Sequence, residues 1–272
     1  MSVGRTHKQT FRTGSKTYYN SSIFFPRSIR DDVYRLYAFV RVADDYVDQV
    51  PQDEVGFRRF VDRYRRAVSG EPANDEIIDS FVDLQRRKEW DHGWTDAFLH
   101  SMELDLTKRV YSTLDETLDY IYGSAEVIGL YMASLLSLDP ESYHAAKMQG
   151  RAMQYINFIR DVDEDRRLGR TYLPTTDSGM DVLSESAARK NPGRFVSFIR
   201  EQLERYSAWQ REAEAGYRFI PRRYLIPIKT ASDMYNWTAG KIADDPFVVF
   251  ERQVKPRKPR VVARALRNAI TV

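Results

Sequence analysis

Apolar positions recur every three to four residues along almost the whole chain, and this spacing predicts helices nearly throughout. After a loose arm at 1–12, a short helix is expected over 15–23. A long helix follows over 28–49, with Ser28 as N-cap and Pro51 as its stop. The next covers 53–69, with Phe57, Phe60, Val61, Tyr64 and Val68 on its apolar face, and closes at Gly70 and Pro72. Residues 74–88 repeat the pattern through Ile77, Ile78, Phe81, Val82 and Leu84, and 94–109 form another helix. Residues 113–138 read as one long, mostly buried helix. Asp139-Pro140 caps the next, over 140–167, and Gly169 ends it. A short helix near 181–190 and longer ones over 194–217 and 221–243 complete the series. No strand, internal repeat or glycine-rich phosphate loop is legible. The expectation is an all-α, single-domain helical bundle over 1–272, with a basic tail at 255–272.

Composition narrows the class. With 42% hydrophobic and 30% charged residues the chain is globular rather than disordered. Its 42 basic and 39 acidic residues, net +3, are too balanced to argue for nucleic acid. The absence of cysteine excludes disulfides, thiolate metal sites and a cysteine nucleophile, and suits a cytoplasmic protein. His7, His92, His100 and His144 are scattered, which argues against zinc. The polar, basic first residues carry no signal-peptide pattern. The longest apolar stretch, 128–138, is about half of what a bilayer needs. The tail from Lys255 to Arg267 reads first as a solvated basic segment. Its first half could also meet phosphate, and its amphipathic second half an anionic membrane surface.

Two acidic segments stand out. In Arg41-Val42-Ala43-Asp44-Asp45-Tyr46-Val47-Asp48, and again in Asn157-Phe158-Ile159-Arg160-Asp161-Val162-Asp163-Glu164-Asp165, two aspartates stand four apart. Four residues turn a helix by about 400°, so each pair shares one face, roughly 6 Å apart along the axis. Such pairs repel and weaken a helix. A single pair of this kind is commonly a solvated face. Two pairs, both set in apolar stretches and both flanked by an arginine, are costly to bury unless a hard cation compensates. Mg²⁺ suits them, because it takes one or two carboxylates together with waters and substrate phosphates. Two such helices facing each other would hold a diphosphate through shared cations.

These segments resemble the two aspartate-rich motifs of the squalene/phytoene synthase family, the head-to-head isoprenyl diphosphate synthases. Tyr37 to Asp48 matches the first, and Asn157 to Asp165, followed by Arg170-Thr171-Tyr172-Leu173-Pro174, matches the second. Ser15-Lys16-Thr17-Tyr18 and the small-residue helix from Tyr120 to Gly129 extend the resemblance over most of the chain. It implies a bundle of the class I isoprenoid synthase type around a central cavity. By the same resemblance Asp44, Asp48, Asp161, Asp165 and Asn157 would bind Mg²⁺, or Mn²⁺ in its place. Arg41, Arg160, Ser15 and Tyr172 would hold diphosphate oxygens, with Gln154, Tyr235, Arg252 and Arg260 as further substrate contacts. Tyr37 and Tyr120 would line the reaction centre, and Ser124, Ala125, Ile128 and Gly129 would border the prenyl channel. Asp163 and Glu126 depart from the family pattern. Asp163 is expected to be solvated, and Glu126 to be a structural partner of a neighbouring helix.

The implied substrates are two prenyl diphosphates, most simply two C20 chains giving phytoene. Two C15 chains giving squalene, with NADPH, or dehydrosqualene, without it, are the alternative. A class I terpene cyclase is a further reading, but its second metal motif normally carries Ser or Thr, which Asn157–Asp165 lacks. A non-catalytic relative acting as an assembly protein would be expected to have lost acidic ligands, and all four are present.

Overall fold

A computed structural model describes His7, residues 25–175 and residues 183–272. The helix expected over 15–23 lies outside these residues. Among the described residues all regular structure is helical, apart from an isolated bridge between Val110 and Thr171. They divide into two compact units, one up to Thr107 with Tyr131–Leu138, the other Lys108–Leu130 with Asp139–Val272.

The first unit holds α1 (Arg27–Asp48), α2 (Glu54–Ser69), α3 (Glu76–Arg87) and α4 (His92–Thr107). Phe39 of α1 is its centre, fully buried and stacked on Phe81 at 3.8 Å, with Phe60 at 5.0 Å and Tyr64 at 5.3 Å. Each such ring contributes about 1.5–3 kcal/mol through burial. Asp32, also buried, is satisfied by Arg35 at 2.6 Å and by Arg87 of α3 at 3.0 Å. The Asp53 carboxylate caps α2 by accepting from the Gly56 N–H, and Asp75 caps α3 through Ile77 and Ile78. The start of α1 corrects the sequence reading. Pro26, at φ −54°, is the N-cap and no side chain caps the helix, so Ser28 lies inside the first turn.

The second unit opens with α5 (Leu114–Ile121), started by a Thr113/Glu116 capping box. A π-helical turn at Tyr122–Glu126 follows, then α6 (Val127–Leu135), of which Val127–Leu130 belongs here. The unit continues with α7 (Tyr143–Arg160), α8 (Val162–Arg167), α9 (Glu185–Lys190), α10 (Pro192–Ala215), α11 (Arg222–Asp244), α12 (Val248–Glu251) and α13 (Lys258–Thr271). Helix α7 runs along α10, where Tyr155 meets Trp209 edge-on at 5.0 Å. Two expectations change. The helix expected over 140–167 is a 3₁₀ turn at Pro140–Ser142, then α7 and α8, broken at Asp161 (φ −100°, ψ 17°). The basic tail is more than a solvated segment. From Lys258 it is helical and bound to α11, with Asn268 buried.

The small residues of the central helix have a definite use. Ala125 and Gly129 on one side oppose Gly150 and Ala146 of α7 on the other, so two four-residue spacings pair antiparallel. A Cβ added at Gly129 would lie 2.1 Å from the Ala146 carbonyl oxygen, and one at Gly150 would lie 2.3 Å from that of Ala125. The two backbones are therefore in direct contact at these positions.

Candidate active site

Each unit carries one carboxylate pair. In the first, the apolar face of α1 (Leu36, Ala38, Phe39, Ala43, Val47) is buried, which fixes the rotation of the helix and sets Tyr37, Arg41, Asp44 and Asp48 along its other side. The Arg41 guanidinium donates to Asp44 Oδ2 at 2.8 Å and also pairs with Asp45 Oδ1 at 2.5 Å. Burial, then the Asp48 charge, pushes the Asp44 carboxyl up to about 7 against the pull of Arg41. The Tyr37 hydroxyl is raised too, chiefly by burial, with the Arg41 charge opposing and Asp44 and Asp45 reinforcing.

The sequence reading missed Asp105, whose charge also raises the Asp44 carboxyl. It is buried on α4, and Gln52 Nε2 joins its carbonyl (3.0 Å) to that of Val47 (2.6 Å). The available signal was its spacing. Phe98, Met102 and Asp105 share one face, so an acid stands where the pattern asks for an apolar residue.

In the second unit the break at Asp161 leaves the i,i+4 bond from Asp165 N to Asp161 O intact at 2.8 Å. The two carboxylates stay coupled. Burial, then the Asp161 and Glu164 charges, raise Asp165 to about 7 against Arg170 and Arg160. Arg160 grips Asp161 with both Nε (2.8 Å) and Nη2. The Tyr235 side chain interacts electrostatically with the Arg160 guanidinium. Gln253, next to Arg252, donates to Glu164, which brings the segment after α12 onto α8. Asp163 is buried rather than solvated, paired with Arg167 at 2.5 Å and Arg166 at 3.4 Å. These arginines stand three and four residues on, within reach on the same short helix.

Tyr172 sits inside an aromatic cluster. It stacks on Phe158 at 4.3 Å and on Tyr111 at 5.3 Å, and meets Tyr120 at 5.1 Å. The bridge from Tyr111 N to Thr171 O (2.9 Å) and the bond from Thr117 Oγ1 to Tyr172 O (2.7 Å) hold this loop in place. The Tyr172 hydroxyl faces Arg170 Nη1 at 3.5 Å. Ser124, Ala125 and Ile128 are half-buried on and after the π turn, Gly129 lies against α7, and Gln154 is half-buried on α7. Arg260 lies on α13, over the Trp237 ring at 4.8 Å. Ser15 lies outside the described residues.

Glu126 is fully buried and accepts from Arg151 Nε at 2.6 Å, and Arg151 in turn stacks over Trp209. This is the structural partnership expected for it. Glu126→Leu should therefore destabilise the protein by about 3 kcal/mol, as an uncompensated guanidinium is left behind. Thermal denaturation checks this, and a variant as stable as the parent would refute it.

Among the described residues no three carboxylates or imidazoles converge as a ready metal cage. The donors nonetheless fit Mg²⁺. They are hard oxygens in pairs, burial and then the neighbouring carboxylate raise one carboxyl of each pair to about 7, and the Asn157 Oδ1 is buried without a hydrogen-bond partner.

Comparison with known proteins identifies the family. The squalene/phytoene synthase family profile covers residues 11–260. A phytoene synthase of Rhodobacter capsulatus is 30% identical over 96% of this chain and 80% of its own. One of Cereibacter sphaeroides is 33% identical over 94% and 76%. Among solved structures, a dehydrosqualene synthase superposes with TM-score 0.84 at 20% identity, covering 97% of this chain and 94% of its own. A squalene synthase from Alicyclobacillus acidocaldarius gives 0.79 at 22%, covering 89% and 93%. The chain belongs to the squalene/phytoene synthase family, whose members are prenyltransferases that join two prenyl diphosphates head to head.

Proposed function

We propose that this protein condenses two geranylgeranyl diphosphates to phytoene through a cyclopropyl (prephytoene) diphosphate, and that it needs Mg²⁺. The observation that carries this reading is the presence of two Asp-x₃-Asp turns, each with its own arginine, in a chain whose 30% and 33% identical relatives are named phytoene synthases. The family match runs through both compact units, so the proposal treats 1–272 as one catalytic chain.

Asp44 and Asp48, and Asp161 and Asp165 with Asn157, would hold the cation, and Mn²⁺ would meet the same oxygen donors. Bound Mg²⁺ supplies positive charge to a departing diphosphate. Arg41 and Arg160, now held by Asp44, Asp45 and Asp161, would turn to diphosphate oxygens once those carboxylates are neutralised. Tyr235, whose side chain interacts electrostatically with Arg160, and Arg252, next to Gln253, would be further substrate contacts.

In the first half-reaction one substrate loses diphosphate. Its C1 closes a cyclopropane on the double bond of the other, and a proton leaves. In the second the cyclopropyl diphosphate loses its own diphosphate, rearranges, and loses a proton to give the triene centre of phytoene. Both cations must be kept from water. The buried cluster of Tyr120, Phe158 and Tyr172 would form part of an apolar aromatic wall that keeps it out. A squalene product would need hydride from NADPH in place of the last proton loss.

Incubation with C15 or C20 diphosphate, with and without NADPH, followed by mass spectrometry of extracted hydrocarbon, tests this. A C40 product is expected without NADPH. It should vanish on chelation and return with Mg²⁺ or Mn²⁺. A C30 product alone would overturn the substrate assignment, and a product unaffected by chelation would overturn the metal.

A further inference from the structure

The helix α13 is turned inside out. Its face against α11 carries Arg264, whose Nε donates to Asp233 at 2.6 Å, and buried Asn268, which donates to Asp233 at 2.8 Å and Thr230 at 3.1 Å. Its outer face carries Val262, Leu266 and Ile270, exposed by 58%, 64% and 80%. They stand four apart and so form one line along the helix, with exposed Ala263 and Ala269 beside it. At 100° per residue, Arg267 and Arg260 border this strip on one side and Lys258 on the other. After Glu251 the chain has seven basic residues and no acidic one, although the whole protein is only +3. Next to the strip a groove of about 670 Å³ is lined by Trp237, Arg260, Arg264 and Arg267.

We propose that α13 is an interfacial docking helix for an anionic lipid surface. Scattered exposed apolar side chains are ordinary, but an aligned strip on a helix whose opposite face is already satisfied calls for a partner. Val262, Leu266 and Ile270 enter the boundary between headgroups and acyl chains, and Lys258 and Arg267 meet the lipid phosphates. Trp237, half-buried beside Arg260, is the residue type that settles at headgroup level. A second copy of the chain is a poorer occupant, because it would bring seven positive charges against seven. The proposal rests on α13 alone and not on the catalytic reading.

Co-sedimentation of the full chain with vesicles of phosphatidylcholine, with or without about 30% phosphatidylglycerol, is the test. Binding to the anionic vesicles is expected to exceed binding to the neutral ones at least about tenfold, and to weaken with salt. The triple variant Val262→Ser, Leu266→Ser, Ile270→Ser should lose about tenfold or more at any salt, with its circular-dichroism melt and its turnover in detergent unchanged. Lys258→Glu with Arg267→Glu should lose binding mainly at low salt. Equal binding to both vesicle types, or full binding by the triple variant, would overturn the proposal. So would sedimentation velocity showing that the triple variant turns a lipid-free dimer into a monomer, since a second copy would then cover this face.

Discussion

Asp44→Asn is expected to lower kcat/KM by about a thousandfold while making the metal-free protein more stable at neutral pH. The loss follows from removing one of the carboxylates assigned to the cation, and with it the charge that a departing diphosphate needs. The gain follows from the environment of the carboxyl, which burial and Asp48 raise from 3.8 to about 7. Below about pH 4 this group is neutral in both the folded and the unfolded chain, and contributes nothing. Between about pH 4 and 7 the unfolded chain ionises while the folded one keeps its proton, so stability falls as pH rises. Above about pH 7 the whole penalty is present. The side chain is 32% exposed, so solvent screening reduces the full linkage energy to about 1–2 kcal/mol. Melting curves with chelator at about pH 8 and about pH 4 should separate variant from parent at the higher pH and bring them together at the lower. Parental turnover in the variant would remove Asp44 from the site. Lower stability at both values would refute the electrostatic account.

Gly150→Ala should be among the most damaging of the conservative changes to the scaffold. The new methyl would lie 2.3 Å from the Ala125 carbonyl oxygen, 2.8 Å from its carbon and 3.1 Å from the Glu126 Cα. All three are backbone atoms, so no rotamer change can relieve the clash and α7 must part from the π turn. The alanine recovers about 1 kcal/mol of helix propensity, and overpacking against backbone, at about 3 kcal/mol, exceeds this, leaving a net loss of about 2 kcal/mol. For a chain of this length that lowers Tm by roughly 4–8 °C. Gly240→Ala in α11 is the matched control. Nothing lies within 4 Å of its added methyl, so the propensity gain stands alone and Tm should rise slightly. Equal melting temperatures for the two variants would show that the close approach at Gly150 is not holding these helices together. A raised KM in Gly150→Ala would further show that the turn carrying Ser124 and Ala125 shapes the substrate site.

The positions of most helices were legible in the chain, because an amphipathic helix announces itself through the 3.6-residue period of its own side chains. The stop of α2 at Gly70 was read from its glycine, and the caps at Asp53 and Thr113 stand where those helices were expected to begin. The start of α1 was not legible, because both Pro26 and Ser28 can open a helix and the backbone chose the proline. The break at Asp161 was also hidden. Nothing in Arg160-Asp161-Val162 is a helix breaker, and Arg160 folds onto its immediate neighbour rather than onto a residue one turn away. Glu126 could be read as a structural partner, but Arg151 could not be named from the chain, because the pair spans 25 residues.

The sequence by itself determined the helical class, the two Asp-x₃-Asp turns with Arg41 and Arg160 beside them, and the absence of cysteine. All of these are set by residue type and by spacings of a turn or less, where geometry is nearly independent of the rest of the molecule. The tertiary structure alone decided that Asp105 adds its charge at Asp44, that Tyr111 joins Tyr172 and Phe158, and that Gly129 and Gly150 are packing contacts. It also decided that the basic tail is a helix bound through Asp233 with its apolar side outward. These arrangements join residues distant in the chain. Burial selects such partners among many compatible surfaces, and no local periodicity records the choice.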